Sequence, residues 1–404
     1  FGNTNPLVFM DGIEISIGDM NSIDPMNIEN FSILKDASAT AIYGARGANG
    51  VILIETKRGE ILDKPQVNIM MENSFMGPTQ LPQFTDAVSF MEMYNTARRN
   101  QNPFQPAKYT QEKIQGTRDG LDPYVFPNVN WMDELFKDYS TRQYANVNVR
   151  GGGKMARYYM AVSYYKDQGI LKKTDVNDFN NNIDQNRYNF VNNITVNVTP
   201  TTEMELNINA DIIDYNGPAV DASGIFGNVM NSNPVRFPIA YPAQEETGYI
   251  WFGNKTGGFV NNAFYNPYAD LVKGYKERNN STLLSTLRLK QNLDVITEGL
   301  SFSGMASFKN WTSSEITRSY DPYFYEMAGY EFNEATGQYD YNLALIGQGG
   351  REALAQSGAN NGDRSLYFQA SLNYTRSFEK HDVGGLLVSL QRQYNTNIVG
   401  GNLT

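Results

Sequence analysis

Residues 203–212 read EMELNINADI. Met204, Leu206, Ile208, Ala210 and Ile212 alternate there with Glu203, Glu205, Asn207, Asn209 and Asp211. A period of two puts the first set on one face of a β-strand and the second set on the other. The pattern recurs on both sides of this stretch. Residues 67–75 set Val67, Ile69, Met71 and Phe75 against Asn68, Glu72 and Ser74. Residues 156–165 set Ala156, Tyr158, Met160, Val162 and Tyr164 against Arg157, Tyr159, Ala161, Ser163 and Tyr165. Similar runs at roughly 144–150, 188–198, 282–294, 300–309, 366–375 and 383–391 bring the predicted strands to nine.

Charge separates the two faces. The apolar positions carry no Asp, Glu, Lys or Arg, whereas the opposite face carries Glu72, Arg157, Glu203, Glu205, Asp211, Arg288, Lys290 and Lys309. A Lys or Arg facing hydrocarbon at mid-membrane costs about 2–4 kcal/mol, so a lipid-facing stripe should be this clean. A soluble antiparallel sheet packed on a core also alternates, and the connections are what distinguish the two. Long links at 76–143, 166–187, 213–281 and 310–365 alternate strictly with the short GGGKM, TPTT, ITEG and FEKHD. Transmembrane β-barrels keep short turns on one side and long loops on the other. A strand of about ten residues, rising ~3.3 Å per residue and tilted near 40°, spans the ~25 Å apolar band of such a barrel.

Composition narrows the function classes. The 404 residues carry a formal charge of −10, no cysteine and one histidine, His381 in FEKHD. Disulfide scaffolds and thiolate metal sites are excluded. Bulk binding to nucleic acid is disfavoured by the charge. A lone histidine argues against hydrolytic triads and zinc catalysis, so no enzyme activity, cofactor or metal is expected. No run approaches the ~20 apolar residues of a membrane helix. The start, FGNTNPLVFM, has no basic or signal-like core and reads as if in mid-domain.

The first 60 or so residues read differently, as α+β. NPLVFMDGI is a short strand closed by the turn pair Asp11-Gly12, and Asp24 caps a helical turn that opens with Pro25. SIL is a short strand, Asp36 caps the helix ASATAIY, and Gly44 ends it. GVILIETK is the next strand. Gly44, Gly47 and Gly50 fall at spacing three, but there is no Gly-Lys-Ser/Thr and no Gly-x-Gly-x-x-Gly, so this is not a phosphate loop. Gly47 and Gly50 instead allow a tight entry into the strand.

The order NPLVFMDGI (5–13), then IDPMNIENFSILKDASATAIYGARGANGVILIETKRG (23–59), closely resembles the end of the plug domain in SusC/RagA-family TonB-linked outer-membrane proteins. The residues that carry the motif are Asp11, Gly12, Lys35, Asp36, Tyr43, Gly44, Arg46, Gly47, Asn49 and Gly50. LPQFTDAVSFMEMYN, VFPNVNWMDELF and NVNVRGGGKMARYYMAVSYYKDQGIL look like the start of that family's barrel. The resemblance implies an antiparallel transmembrane β-barrel with a small α+β plug in its lumen. Residues 1–62 would be the C-terminal half of the plug, and 63–404 the first part of a barrel of about 22 strands. It implies the bacterial outer membrane, TonB-driven import of an oligosaccharide or a peptide, TonB contacted through a part outside this chain, and a SusD-like surface lipoprotein as lid. Arg157, Glu203, Glu205 and Asp211 would face the lumen. Arg46 and Asp36 are candidates to pair with each other or with that wall.

The loop 213–281 is rich in aromatics, and Tyr241, Tyr249, Trp251, Phe252 and Tyr265 are candidate ligand or lid contacts, the other reading being a loop that folds on its own small core. DVNDFNNNID (175–184) is reminiscent of a calcium loop but lacks the glycine and the closing glutamate. TDAVSFMEMYNTARR reads as an amphipathic helix that starts at Asp86 and packs across the mouth. A rival reading is a soluble or surface β-rich glycan-binding or adhesion module, whose apolar stripes would be buried in a core. A passive porin is disfavoured by the plug-like start.

Overall fold

The computed structural model describes residues 5–36, 40–242, 248–260, 263–346, 350–379 and 381–396. The N-terminal unit runs β1 (Leu7–Met10), β2 (Ile13–Ile15), α1 (Ile17–Asn21), a 3-10 turn (Pro25–Asn27), β3 (Ile28–Leu34), a 3-10 run (Ala41–Asn49) and β4 (Val51–Thr56). Its four strands lie in the order β2-β1-β4-β3. Asp11 and Gly12 both take positive φ, 48° and 82°, which fits the two-residue turn joining β1 to β2. Asp24 caps the 3-10 turn by accepting from the Met26 amide at 2.9 Å. The helix ends at Gly44 as expected: its φ of 61° and ψ of −154° are not helical, and a second 3-10 turn follows from there to Asn49. Gly50, at φ 90°, makes the turn into β4. Residues 37–39 of the predicted helix lie outside the described residues.

The large sheet begins with β5 (Gln66–Met76). Helices α2 (Ala87–Gln101), α3 (Gln111–Arg118) and α4 (Trp131–Leu135) come next, followed by β6 (Ser140–Gly152), β7 (Ala156–Gln168), β8 (Asp184–Thr199) and β9 (Thr202–Pro218). After α5 (Ala222–Met230), β10 (Ala240–Tyr241), β11 (Trp251–Gly253), β12 (Thr256–Val260) and α6 (Pro267–Val272) come β13 (Gly274–Asn292) and β14 (Leu300–Asp321). A hairpin of β15 (Tyr323–Asn333) and β16 (Gln338–Leu345) precedes β17 (Arg351–Phe378) and β18 (His381–Thr396). Nine strands form one antiparallel sheet in the order β18-β17-β14-β13-β9-β8-β7-β6-β5. These are the nine expected strands, with neighbours in sequence paired in space.

Strand length departs from expectation. β14 has 22 residues and β17 has 28. At about 3.4 Å per residue, 22 residues span more than twice the ~25 Å apolar band even when tilted. Their hydrogen-bonded ladders continue into stretches whose side chains are polar, where alternation gives no signal. The links 310–365 and 213–281 are correspondingly shorter than the sequence suggested.

The faces sort as the alternation predicts. Met204, Leu206 and Ile208 of β9 stand opposite Val196, Ile194 and Asn192 of β8 and opposite Leu289, Leu287 and Ser285 of β13. Val67, Ile69, Met71, Phe75, Met160, Val162, Leu287 and Phe368 are all exposed. No second protein layer covers this face among the described residues. Asn192 and Ser285, both opposite Ile208, are polar exceptions in the band.

The N-terminal unit sits on the opposite face. Val8, Met10, Ile13, Ile15 and Ile54 form a core that also takes Leu284 from β13, with Met305 and Tyr367 of β14 and β17 packed against it. Strands β6 and β18 are seven spacings of about 4.8 Å apart in the sheet, roughly 34 Å if it were flat. Asp24 nevertheless reaches Tyr144 of β6 while Glu14 reaches Arg392 of β18. The sheet therefore curves around the unit, as the right-handed twist of long strands permits.

Candidate functional site

Two polar constellations join the N-terminal unit to the wall. The first centres on the Asp11 turn. The Asp11 carboxylate accepts from the Thr56 amide at 3.0 Å and from the Thr56 hydroxyl at 2.6 Å, tying the β1–β2 turn to the end of β4. Arg288 of β13 donates to the Asp11 carbonyl at 2.6 Å and lies 3.1 Å from Glu205 of β9. Arg58 lies 3.1 Å from the same carboxylate. Asn207 donates to it at 3.0 Å. Glu205 is thus buried among two guanidiniums and an amide, which is what lets a buried carboxylate remain charged.

The second is a socket for the Asp24–Asn27 turn. Tyr144 of β6 donates to Asp24 at 3.1 Å, Asn146 donates at 3.4 Å, and the Ser163 hydroxyl of β7 also donates to it. Tyr159 of β7 donates to Asn27 at 2.8 Å, and Asn27 donates to Asn189 of β8 at 3.1 Å. Asn193 donates to the Thr56 hydroxyl at 2.9 Å and to the Lys57 carbonyl at 2.7 Å. Asp24 is 2% exposed, and Asn27, Tyr159 and Ser163 are 0% exposed. These polar side chains belong to the inward half of the alternation, two apart on β6 (Tyr144, Asn146) and four apart on β7 (Tyr159, Ser163) and β8 (Asn189, Asn193), where Ala161 and Val191 stand between them.

The β14–β18 side is built differently. Lys309 meets Asp19 at 2.5 Å, and Arg392 meets Glu14 at 3.1 Å. A cavity of about 150 Å³ lies there between Ile13–Ser16 and Ser307, Ser365 and Tyr367 of the wall.

The motif residues named from sequence turn out to be mostly architectural. Tyr43 packs its ring on Phe9 at a centroid distance of 4.9 Å. Gly47 is crowded by the Thr40 carbonyl, 3.0 Å from where a Cβ would stand. Lys35 and Asp36 are exposed, and the Asp36 carbonyl accepts from the Thr40 amide. Asn49 is also exposed. The expected pairing of Arg46 with Asp36 or the wall is corrected: Arg46 pairs with Glu14 of its own unit, the nearest carboxylate across the β1–β2 edge. Arg157 and Glu203 pair with each other at 3.0 Å, Glu203 also takes Lys290 at 3.1 Å, and Asp211 takes Arg187 at 2.7 Å. Sequence reasoning missed Asp24, Asn27, Thr56 and Arg58 as docking residues. The available signal was the run of Asn and Ser on the inward face.

On the long-loop side the links co-fold. Trp131, Leu135, Leu171, Ile225, Phe237, Phe252 and Leu271 share one core although they come from three different loops. β11 pairs in parallel with β15, which ties the 219–273 link to the 322–350 link. The aromatic candidates are largely spent on this core. Phe252 is fully buried, Trp251 stacks on Tyr325 at 4.4 Å, and Tyr241 is buried beside them. They are corrected from ligand contacts to structural residues, because a ring already covered by other rings has no face to offer. Tyr249 stacks on Tyr323 at 4.0 Å and is half-buried, and Tyr265 is 43% exposed. In 175–184, Asn181 accepts from the Thr174 amide, and its own amide donates to the Lys172 carbonyl. The loop's amides thus serve backbone groups, its own and, through Asn177, the Val272 carbonyl of α6 at 2.7 Å. The expected helix is present as α2, with Asp86 accepting from the Ser89 amide at 3.0 Å, and it packs on α3 and Val235.

Lys113 on α3 is half-buried here, donating to the Val235 carbonyl at 3.2 Å. Burial, helped by the charge of Lys255, pushes its ammonium down to about 8. The folded form therefore holds this proton less tightly than the unfolded chain, where a lysine titrates near 10.4. The penalty is complete below pH 8 and is relieved as pH rises toward ~10.4. Thermal melting of the loop body is expected to rise over that window in the native chain. Lys113→Met is expected to flatten the trend.

Comparison with known proteins agrees with this geometry. The family described as TonB-dependent Receptor Plug Domain matches residues 1–51. The TonB-dependent receptor SusC of Bacteroides thetaiotaomicron is 26% identical over 364 residues, covering 85% of this chain and 33% of that protein. The TonB-dependent receptor P26 of Formosa agariphila is 24% identical over 403 residues, covering 98% of this chain and 35% of that protein. The chain thus spans about a third of the length of these curated relatives. The solved RagAB peptide transporter superposes with a TM-score of 0.65 at 17% identity, over 97% of this chain and 41% of that one, which shows a shared fold. Together these findings support a SusC/RagA-family TonB-dependent receptor, with a plug domain and a β-barrel-type wall.

Proposed function

We propose that this chain serves TonB-driven import of a bulky nutrient across the bacterial outer membrane. An oligosaccharide is the first expectation for the cargo and a peptide the second. The observation that carries the reading is the two-sidedness of the sheet. One face is an uncharged apolar band with nothing packed on it, and the other holds a plug by buried polar contacts. A wall of this kind meets hydrocarbon outside and water inside. Apart from the apolar contact at Leu284, Met305 and Tyr367, the seam is polar and hydrogen-bonded, which suits a plug that must come away and return because water can take the place of such contacts. No bond in the cargo is broken, so no catalytic residue is required. Residues 1–62 act as plug and 63–404 as wall. The co-folded long-loop body is the surface on which a SusD-like lipoprotein lid would sit, with Tyr249 and Tyr265 available at its surface.

The rival soluble module requires the apolar stripes to be covered, and Met160 and Leu287 are exposed. The test is uptake by cells carrying the complete receptor, with and without TonB, combined with fractionation. Uptake is expected to stop without TonB, and the protein to stay with membranes until detergent is added. Ile208→Lys is expected to lower the assembled amount sharply, in line with a cost of about 2–4 kcal/mol. TonB-independent uptake would favour a porin, and release into buffer would favour the adhesion module.

A further inference from the structure

The two halves of the plug–wall seam differ in kind. Against β6–β8 the contacts are short, neutral or singly charged, and sealed from water: Asp24 in its three wall donors, Asn27 between Tyr159 and Asn189, Thr56 under Asn193. Against β14–β18 they are ion pairs on long side chains, Asp19 with Lys309 and Glu14 with Arg392, which border the 150 Å³ cavity. Parting the first set strands several buried polar groups at once. Parting the second frees two charge pairs whose side chains keep 13–36% of their exposure, so water takes over from each partner at smaller cost, and it also uncovers the Met305 and Tyr367 contact with the plug core. The 150 Å³ cavity gives water more room on that side than the space of about 40 Å³ beside Asp24 and Asn189 gives it at the socket.

We propose that the plug moves as a door: the Asp24–Asn27 turn stays seated on β6–β8 as the hinge, and the Ile13–Asp19 edge swings off β14–β18 to open the passage there. This rests on the import reading above. This chain has no cysteine, and any cysteine in the rest of the receptor is first replaced by serine, so that single cysteines report cleanly. Ser163→Cys marks the hinge and Ser307→Cys the opening side. Both serines are buried wall residues, and each change is nearly isosteric. Ser365→Cys is a second reporter on the opening side should Ser307→Cys assemble poorly. The complete receptor is labelled in cells with a small membrane-impermeant maleimide, with and without TonB, in a mixed load of oligosaccharides and peptides.

The expected result is that TonB accelerates modification at position 307 or 365 by about tenfold or more, as for a local opening, while position 163 stays slow in both strains. Equal or greater acceleration at 163 overturns the proposal. So does the absence of acceleration at either opening-side position while TonB-dependent uptake of the same load is intact. If uptake itself proves independent of TonB, the import reading fails and the door falls with it.

Discussion

Asp24→Ala is expected to unseat the plug turn from the wall. The carboxylate accepts from Tyr144, Asn146, Ser163 and the Met26 amide, and it is buried with all of them. Alanine removes the acceptor and leaves three wall donors facing each other in a space that water reaches poorly. Hydrogen bonds to a carboxylate contribute about 1.5–3 kcal/mol each, and a buried donor left unpaired costs about 1–3 kcal/mol. These terms are not additive, and a total near 4 kcal/mol is expected, or roughly a thousandfold in a local opening equilibrium. Hydrogen exchange of the segment 25–34 is the direct measure. Asp24→Asn is expected to fall between the native chain and Asp24→Ala, since its one amide oxygen still accepts and the Tyr144 and Ser163 hydroxyls can turn to accept from its nitrogen, but the second acceptor oxygen and the charge are lost. Glu14→Ala on the opposite side removes only solvent-reachable ion pairs and is expected to cost no more than about 1 kcal/mol. Equal exchange in Asp24→Ala and Glu14→Ala would mean that the socket does not hold the plug.

The contrast explains which parts of the architecture could be read from sequence. The nine strands, their neighbour pairing and the inward direction of Glu203, Glu205 and Asp211 follow from alternation, because a face against lipid admits no charge and a period of two then fixes the other face. The plug strands were legible for a similar reason, since Asp11-Gly12 and Gly50 occupy backbone positions that few residues tolerate. The docking residues were not legible. Asp24 reads locally as a helix cap, which it is, and nothing within the plug sequence says that the same carboxylate also meets β6 and β7, more than a hundred residues away. The loop aromatics failed in the opposite direction. Trp251 and Phe252 suit a ligand surface and a small core equally well by type. Only the parallel pairing of β11 with β15, a contact between two loops far apart in sequence, decides for the core. Strand ends were misjudged because β14 and β17 leave the apolar band and keep their ladder through a polar stretch.

Gly59→Ala is expected to be as damaging as the loss of Asp24, for a reason unrelated to hydrogen bonding. Gly59 ends the Thr56-Lys57-Arg58-Gly59 run that leads from β4 of the plug to the wall. A Cβ at this position would lie 2.1 Å from the Tyr158 nitrogen and 2.6 Å from the Arg157 carbonyl carbon. Both atoms are backbone, so no rotamer change gives relief. β7 cannot retreat either, because it is paired along its length to β6 on one side and β8 on the other. The linker must move instead, and it carries Arg58 away from Glu205 and the Lys57 carbonyl away from Asn193. Overpacking that cannot relax usually costs up to about 3 kcal/mol, and a backbone-to-backbone clash belongs at or beyond that end. Trypsin is a suitable probe, since Lys57 and Arg58 are cleavage sites held against the wall. Cleavage there is expected to be fast in Gly59→Ala and slow in the native chain. Gly44→Ala separates space from backbone conformation. Gly44 has φ 61° and ψ −154° with nothing within 4 Å of its Cβ position, so alanine meets only the backbone penalty of a conformation almost confined to glycine, about 1–3 kcal/mol. That variant is expected to keep the linker protected. If Gly59→Ala also stays protected, the linker is not pressed on β7, and the route by which the wall holds the end of the plug would have to run through Asn193 and Glu205 alone.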